Sequence, residues 1–233
     1  MTIPHRFNGP LESGQGGYSA GVVATFLEQP AEVNLRRPIP LDVPLRVEPD
    51  GDGSVRMLDG DELIADGRSA PGVDVDVPDP VSVEDAREAT TRYLGLRVGP
   101  FSRCFVCGLA RDDSFHVFAG EVPGRGLVAT PWTPPAWTAD DAGNVRPEFV
   151  WAALDCPATF APIIAGPATT GFLARLRVRI DAPVAAGSEH VVIGWPIELD
   201  GRKFHSGSAV FTAGGELLAV ARALLVAPRA ASL

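Results

Sequence analysis

A duplicated pattern constrains this chain more than any other feature. Gly60-Asp61-Glu62-Leu63-Ile64-Ala65-Asp66-Gly67-Arg68-Ser69 returns as Gly214-Gly215-Glu216-Leu217-Leu218-Ala219-Val220-Ala221-Arg222-Ala223, with Gly, Glu, Leu, Ala and Arg kept in register. Each copy starts in a glycine-containing turn and runs into alternating apolar residues, as a strand leaving a tight hairpin does. Upstream, Val22-Val23-Ala24-Thr25-Phe26-Leu27-Glu28-Gln29-Pro30 aligns without gaps on Phe149-Val150-Trp151-Ala152-Ala153-Leu154-Asp155-Cys156-Pro157. The shared frame is a small apolar run, Leu, an acid, any residue and Pro. Self-similarity of this kind means two related units that bury their faces against each other.

Both upstream copies are expected to be helical. Ser13 or Gln15 with paired glycines would start the first, and Asn144 with Pro147 the second, Pro being favoured in a first turn. Pro30 and Pro157 should disturb each helix near its C-terminal end. Extended segments follow at Val33–Ile39, Val43–Glu48, Ser54–Leu58 and Glu62–Ser69 in one half, and at Leu173–Ile180, His190–Leu199, Arg202–Thr212 and Glu216–Val226 in the other. Pro and Asp-Gly breaks separate them. The expected division is a first half over 1–70, a linker over 71–98 and a longer second half over 99–233. In the linker, Pro71 to Pro80 alternates Val with Asp, and Val81 to Tyr93 is polar and compatible with a helix. Thr130 to Gly143, carrying Trp132 and Trp137, is expected to be irregular: a lid or pocket wall, or a surface loop with its tryptophans packed down.

Charge narrows the function. A net charge of -9 with one lysine, Lys203, argues against general affinity for nucleic acid or anionic membranes, which bind clustered cations. The arginine-rich, lysine-poor composition suits a GC-rich bacterial genome. The start MTIPHRFNGP lacks the basic-then-apolar layout of a signal peptide, and no run of 18 apolar residues exists, so a cytoplasmic location is expected. Cys104, Cys107 and Cys156 make an odd set, so no disulfide framework is expected. Cys104 and Cys107 have the spacing of metal ligands, and His116 and Cys156 would complete a tetrahedral set if the fold gathered them. A lone C-x-x-C is weak, however, and the expectation is a turn with two small buried residues and no metal.

Gln15-Gly16-Gly17-Tyr18-Ser19-Ala20-Gly21 opening a helix, followed by an antiparallel meander and repeated once, resembles the double-hotdog thioesterase-like superfamily that includes acyl-CoA thioesterase II. Ala152-Ala153-Leu154-Asp155 looks like the acid of its second helix, and Cys104-Phe105-Val106-Cys107-Gly108 like a segment ahead of the helix in some single-hotdog thioesterases. The resemblance implies an α+β double hotdog, two central helices wrapped by antiparallel sheet, acting on acyl-CoA or another acyl thioester without a cofactor. It implies N–H donors at Gln15, Gly16 and Gly17 for the developing oxyanion and Asp155 as general base or nucleophile. One composite site is expected, because the pseudo-symmetric one would have Pro147 among its donors and Glu28 as its acid. The superfamily's Asp, Thr and Gln network is matched only at Asp155, with Arg179 and Ala223 where Thr and Gln belong. A non-catalytic acyl-CoA or acyl-chain binding protein of the same fold is therefore the alternative.

Arg175, Arg177 and Arg179 share one face of a strand and are candidates for receiving coenzyme A phosphates, against the simpler reading of a solvated outer face. His205, in an expected strand, is a weaker candidate for a catalytic role, against a surface or satisfied histidine. Exposed sheet edges offer a route to a homo-oligomer.

Overall fold

The computed structural model describes residues 1–96, 101–166 and 170–229. The expected boundary between linker and second half, at 98 and 99, lies outside these residues, as do positions 230–233. The chain builds α1 (Gly16–Ala24), β1 (Ala31–Leu35), β2 (Arg46–Asp50), β3 (Ser54–Asp59), β4 (Glu62–Ser69), α2 (Val83–Ala89), β5 (Gly120–Val122), β6 (Leu127–Trp132), α3 (Pro147–Phe160), β7 (Phe172–Ile180), β8 (His190–Asp200), β9 (Lys203–Thr212) and β10 (Leu217–Val226).

All ten strands form one antiparallel sheet in the order β2-β3-β4-β1-β7-β10-β9-β8-β6-β5. That order is symmetric about the β1–β7 pair, where Ala31 faces Val178 and Val33 faces Leu176. On either side β4 and β10, β3 and β9, and β2 and β8 take matching places, with β6 and β5 added at the far edge. The two copies of the duplicated segment become β4 and β10, each leaving a hairpin turn with positive-φ glycine, Gly60 in one and Gly215 in the other.

The sheet curls around α1 and α3, which pack on each other. Alternation decides which side chains meet them: Val33, Leu176, Val178 and Ala221 join the helical core, and the intervening Glu32, Arg175 and Arg177 lie on the outer face. β8 departs from this rule. His190 through Trp195 are all buried, because a second apolar layer covers the outer face there. Val73, Val81, Ala86 and Ala89 of the intervening segment supply that layer against Ile193, Ala209 and Phe211. The Val–Asp alternation of Pro71 to Pro80 thus has a packing reason: Val73, Val75 and Val77 turn to the sheet and Asp74 and Asp76 to solvent.

The helices differ from the sequence reading. α1 starts where the glycine pair suggested but ends at Ala24, so Phe26 to Pro30 is not helical and Glu28 is exposed beyond the helix end. α3 instead runs through Pro157 to Phe160 and continues into a 3-10 turn. The helical stretch Pro147–Ala165 is long and apolar enough to cross a membrane by composition, but most of it is buried inside the fold, as befits a core helix. β5 and β6, which the repeat did not predict, extend the sheet beyond β8 and place Thr130 to Trp132 in a strand.

Candidate active site

The N-terminus of α1 meets the middle of α3 at a buried carboxylate. Gln15 is the N-cap of α1, and its Oε1 accepts the Tyr18 N–H at 2.5 Å, doing what a Ser or Asp side chain usually does. The other end of the same amide, Nε2, donates to Asp155 Oδ2 at 2.7 Å. The Gly17 N–H donates to that oxygen at 2.9 Å. Thr159, one turn further along α3, donates from Oγ1 to Oδ1 at 3.0 Å. Burial pushes the Asp155 carboxyl up to about 6, although the Gly17 N–H and Thr159 hydroxyl pull the other way, and Cys104 adds to the rise.

Asp155 borders a cavity of about 450 Å³ with mainly apolar walls, among them Leu35, Ile39, Phe101, Phe160 and Leu173. Gln15 and Gly16 line it beside the acid. Among the described residues the Gly16 N–H makes no hydrogen bond. A Cβ added at Gly16 would stand 3.2 Å from Asp155 Oδ2, so the missing side chain keeps the space between helix start and carboxylate open. The two glycines therefore divide the work: Gly17 holds the acid, and Gly16 leaves an unpaired donor at the positive end of a helix.

No protein-family model matches the chain, and no curated protein sequence does. Among solved structures, a thioesterase superfamily protein aligns at 22% identity over 46% of this chain and 52% of its own, with a TM-score of 0.43. The chain thus spans about half the length of that relative. Zebra fish thioesterase superfamily member 2 aligns at 10% identity over 64% of this chain and 100% of its own, with a TM-score of 0.45. A single-site mutant of the phenylacetic acid degradation protein PaaI from Thermus thermophilus aligns at 19% identity over 44% of this chain and 86% of its own, with a TM-score of 0.39. The structural neighbours include thioesterase-superfamily proteins.

Of the residues singled out in the sequence, Gln15, Gly16, Gly17 and Asp155 come together. The Gln and Thr around Asp155 are Gln15 and Thr159, not residues at the positions of Arg179 and Ala223. Thr159 escaped the sequence reading, although its i+4 spacing from the acid on one helix was the available signal. Arg179 pairs with Asp181 at 2.7 Å, and Ala223 is buried in β10. The arginine face lies away from the cavity and is largely engaged. Arg175 donates to Asn34 at 2.7 Å and Arg177 to Glu32 at 2.9 Å. His205 lines a separate cavity of about 180 Å³ with Glu32, Arg175, Arg177 and Arg222. The tryptophan loop is not a wall of the Asp155 cavity: Trp132 is buried, and Trp137 packs edge-on against Phe149 at 5.2 Å.

Glu32 is the buried anion of that outer face, bound by both Arg177 and Arg68. Burial tends to raise its carboxyl, but the Arg177 hydrogen bond and the charges of Arg177 and Arg175 outweigh it, so its pKa is lowered. A carboxyl depressed in the folded state stabilises above its unfolded value and loses that stabilisation as pH falls through the folded one. Glu32→Gln is expected to cost about 2 kcal/mol at pH 7, less than a fully buried pair because the arginines are partly solvated. The gap to wild type should close as pH falls below about 4, which urea unfolding at pH 7 and pH 3.5 would measure.

Proposed function

We propose that the chain is a double hotdog that hydrolyses an acyl thioester, with one composite site built from the start of α1 and the middle of α3. The observation that carries this reading is Asp155: a buried carboxyl raised to about 6, fixed by donors from two helices, beside an apolar cavity and a free helix N-terminal N–H. The sheet order, symmetric about β1 and β7, supports the double arrangement. An acyl chain suits the apolar walls, and its carbonyl oxygen would take the Gly16 N–H. Asp155 accepts a proton from water as the water oxygen bonds to the carbonyl carbon. The tetrahedral intermediate collapses with cleavage of the C–S bond, and the proton passes to the departing thiolate. Gln15 and Thr159 orient the carboxylate. Acyl-CoA is the substrate class offered here, although the arginine face lies on the other side of the sheet from the cavity and is not assigned to its phosphates.

One observation favours the second reading, a protein that binds an acyl thioester without turnover: Asp155 Oδ2 already accepts two hydrogen bonds, which lowers its basicity. Free-thiol release from short, long and aromatic acyl-CoAs separates the two. Hydrolysis that disappears in Asp155→Ala supports the enzyme, whereas saturable binding with no release across the panel supports the binding protein. Glu28 gives the control. Exposed and beyond the end of α1, it should tolerate Glu28→Ala with turnover within about twofold of wild type, as surface substitutions do. Loss of turnover in Glu28→Ala with Asp155→Ala unaffected would reverse the assignment of the acid.

A further inference from the structure

Cys104 and Cys107 of one turn and Cys156 of α3 converge on the wall of the same cavity. Cys104, Cys107 and Cys156 are all buried, and their sulfurs lie within 4.8 Å of one another. All three line the cavity that holds Asp155. A disulfide would join two and leave the third over, whereas a triangle of donors suits a single ion. A tetrahedral ion at the usual zinc–sulfur length of about 2.3 Å holds its sulfurs about 3.8 Å apart, so small side-chain movements close the triangle.

The turn Cys104-Phe105-Val106-Cys107-Gly108 is built to hold thiolates. The Val106 N–H points at Cys104 Sγ at 3.4 Å. The Gly108 N–H closes the turn on the Cys104 carbonyl at 2.8 Å. A Cβ at Gly108 would fall 2.5 Å from that oxygen and 2.6 Å from the Cys104 nitrogen, so the turn needs glycine. Cys156 follows Asp155 on α3, and Gln15 Nε2 lies 3.9 Å from its sulfur.

We propose that Cys104, Cys107 and Cys156 bind one zinc ion as thiolates, with a fourth coordination position that opens into the cavity beside Asp155. Soft sulfur donors select zinc over hard cations. His116, which the spacing suggested as a fourth ligand, is exposed and stacks on Phe118. No other His, Cys, Asp or Glu joins the group among the described residues, and three protein ligands with an exchangeable fourth is the pattern of an open zinc site. Binding forms three Zn–S bonds as three thiol protons leave to solvent, with no change of oxidation state. The fourth position takes water, and an entering thiol replaces it. This site revises the expectation of a chain without metal, and it stands whether or not the chain turns over a thioester.

Cobalt titration of the reduced, chelator-treated full chain tests it. The expected result is one Co²⁺ per chain with sulfur-to-cobalt charge transfer and the intense visible bands of a tetrahedral site, displaced by stoichiometric Zn²⁺. Added 2-mercaptoethanol should shift the visible bands, and His116→Ala should leave them unchanged. Cys104→Ser should weaken Co²⁺ binding at least tenfold. Alkylation of wild type provides a reading that needs no variant: Zn²⁺ should protect all three thiols. Absent tetrahedral bands, with the thiols alkylated equally fast with and without Zn²⁺, would overturn the site. A cobalt spectrum indifferent to added thiol would overturn its open fourth position.

Discussion

Asp155→Asn is expected to lower thiol release by roughly 10²–10⁴-fold, the usual contribution of a positioned general base. Asparagine keeps the shape and can still accept the Gly17 N–H, so the loss isolates the proton-accepting role. In chelator-treated wild type, turnover should rise with pH along a limb centred near 6, where Asp155 becomes the carboxylate. The same pKa has an opposite consequence for stability. A carboxyl raised in the folded state binds its proton more tightly than in the unfolded chain, so stability is full below the unfolded value and falls as pH rises through the folded one. From 3.8 to about 6 the rise amounts to about 3 kcal/mol at neutral pH. Asparagine removes that penalty; with its amide oxygen in the place of Oδ2 it keeps the Gly17 and Gln15 donors and gives up only the acceptor for the Thr159 hydroxyl, worth about 1 kcal/mol. The variant should therefore be about 1–2 kcal/mol more stable than wild type at pH 8, and less stable below about pH 4. Thiol release and urea unfolding at the two pH values check both halves. A variant that keeps turnover within threefold of wild type would remove Asp155 from the chemistry.

Those opposed effects explain which parts of the site could be read from the sequence. The strands were legible because alternation is a local signal: Glu62–Ser69 coincides with β4, and Leu173–Ile180 differs from β7 by one residue. Gln15, Gly16 and Gly17 were legible as the start of a helix because caps are local too. β5 and β6 have no counterpart in the first half, so the duplication that revealed the other strands was silent about them. Aligning the two helical segments through their prolines failed, because tertiary packing decides where each ends. Pro157 sits inside α3, while α1 stops well before Pro30. Glu28 consequently left the helix on which the alignment had placed it. Thr159 stood within reach of the i, i+4 rule on one helix, whereas the cysteine triangle depends on a chain crossing that no short window of sequence contains. The three arginines were visible as a face, but not that Glu32 and Asn34 on a neighbouring strand would engage two of them.

Substituting Gly17 or Gly21 by alanine should destabilise the fold by about 3 kcal/mol each, at the upper end of the usual cost of overpacking. Both glycines lie where α1 crosses α3. A Cβ at Gly17 would stand 2.5 Å from the Trp151 carbonyl oxygen and 2.6 Å from Asp155 Cβ. At Gly21 it would stand 2.7 Å from the Glu148 Cα. These are main-chain and Cβ neighbours that cannot swing aside, so the helices would have to separate, breaking the contact that delivers the Gly17 N–H to Asp155. For a chain of this size, about 3 kcal/mol lowers Tm by roughly 6–12 °C. Gly16→Ala provides the contrast. Its Cβ would meet Leu173 Cδ2 at 3.0 Å and Leu173 Cβ at 3.1 Å, contacts relieved by a shift of a few tenths of an ångström, while intruding on the space beside Asp155 Oδ2. That variant should melt within a few degrees of wild type, since alanine is the better helix former by about 1 kcal/mol, yet lose at least tenfold in turnover by closing the approach to its own N–H. Equal melting losses for all three alanines would mean that Gly16, like the other two, is there for the helix crossing alone.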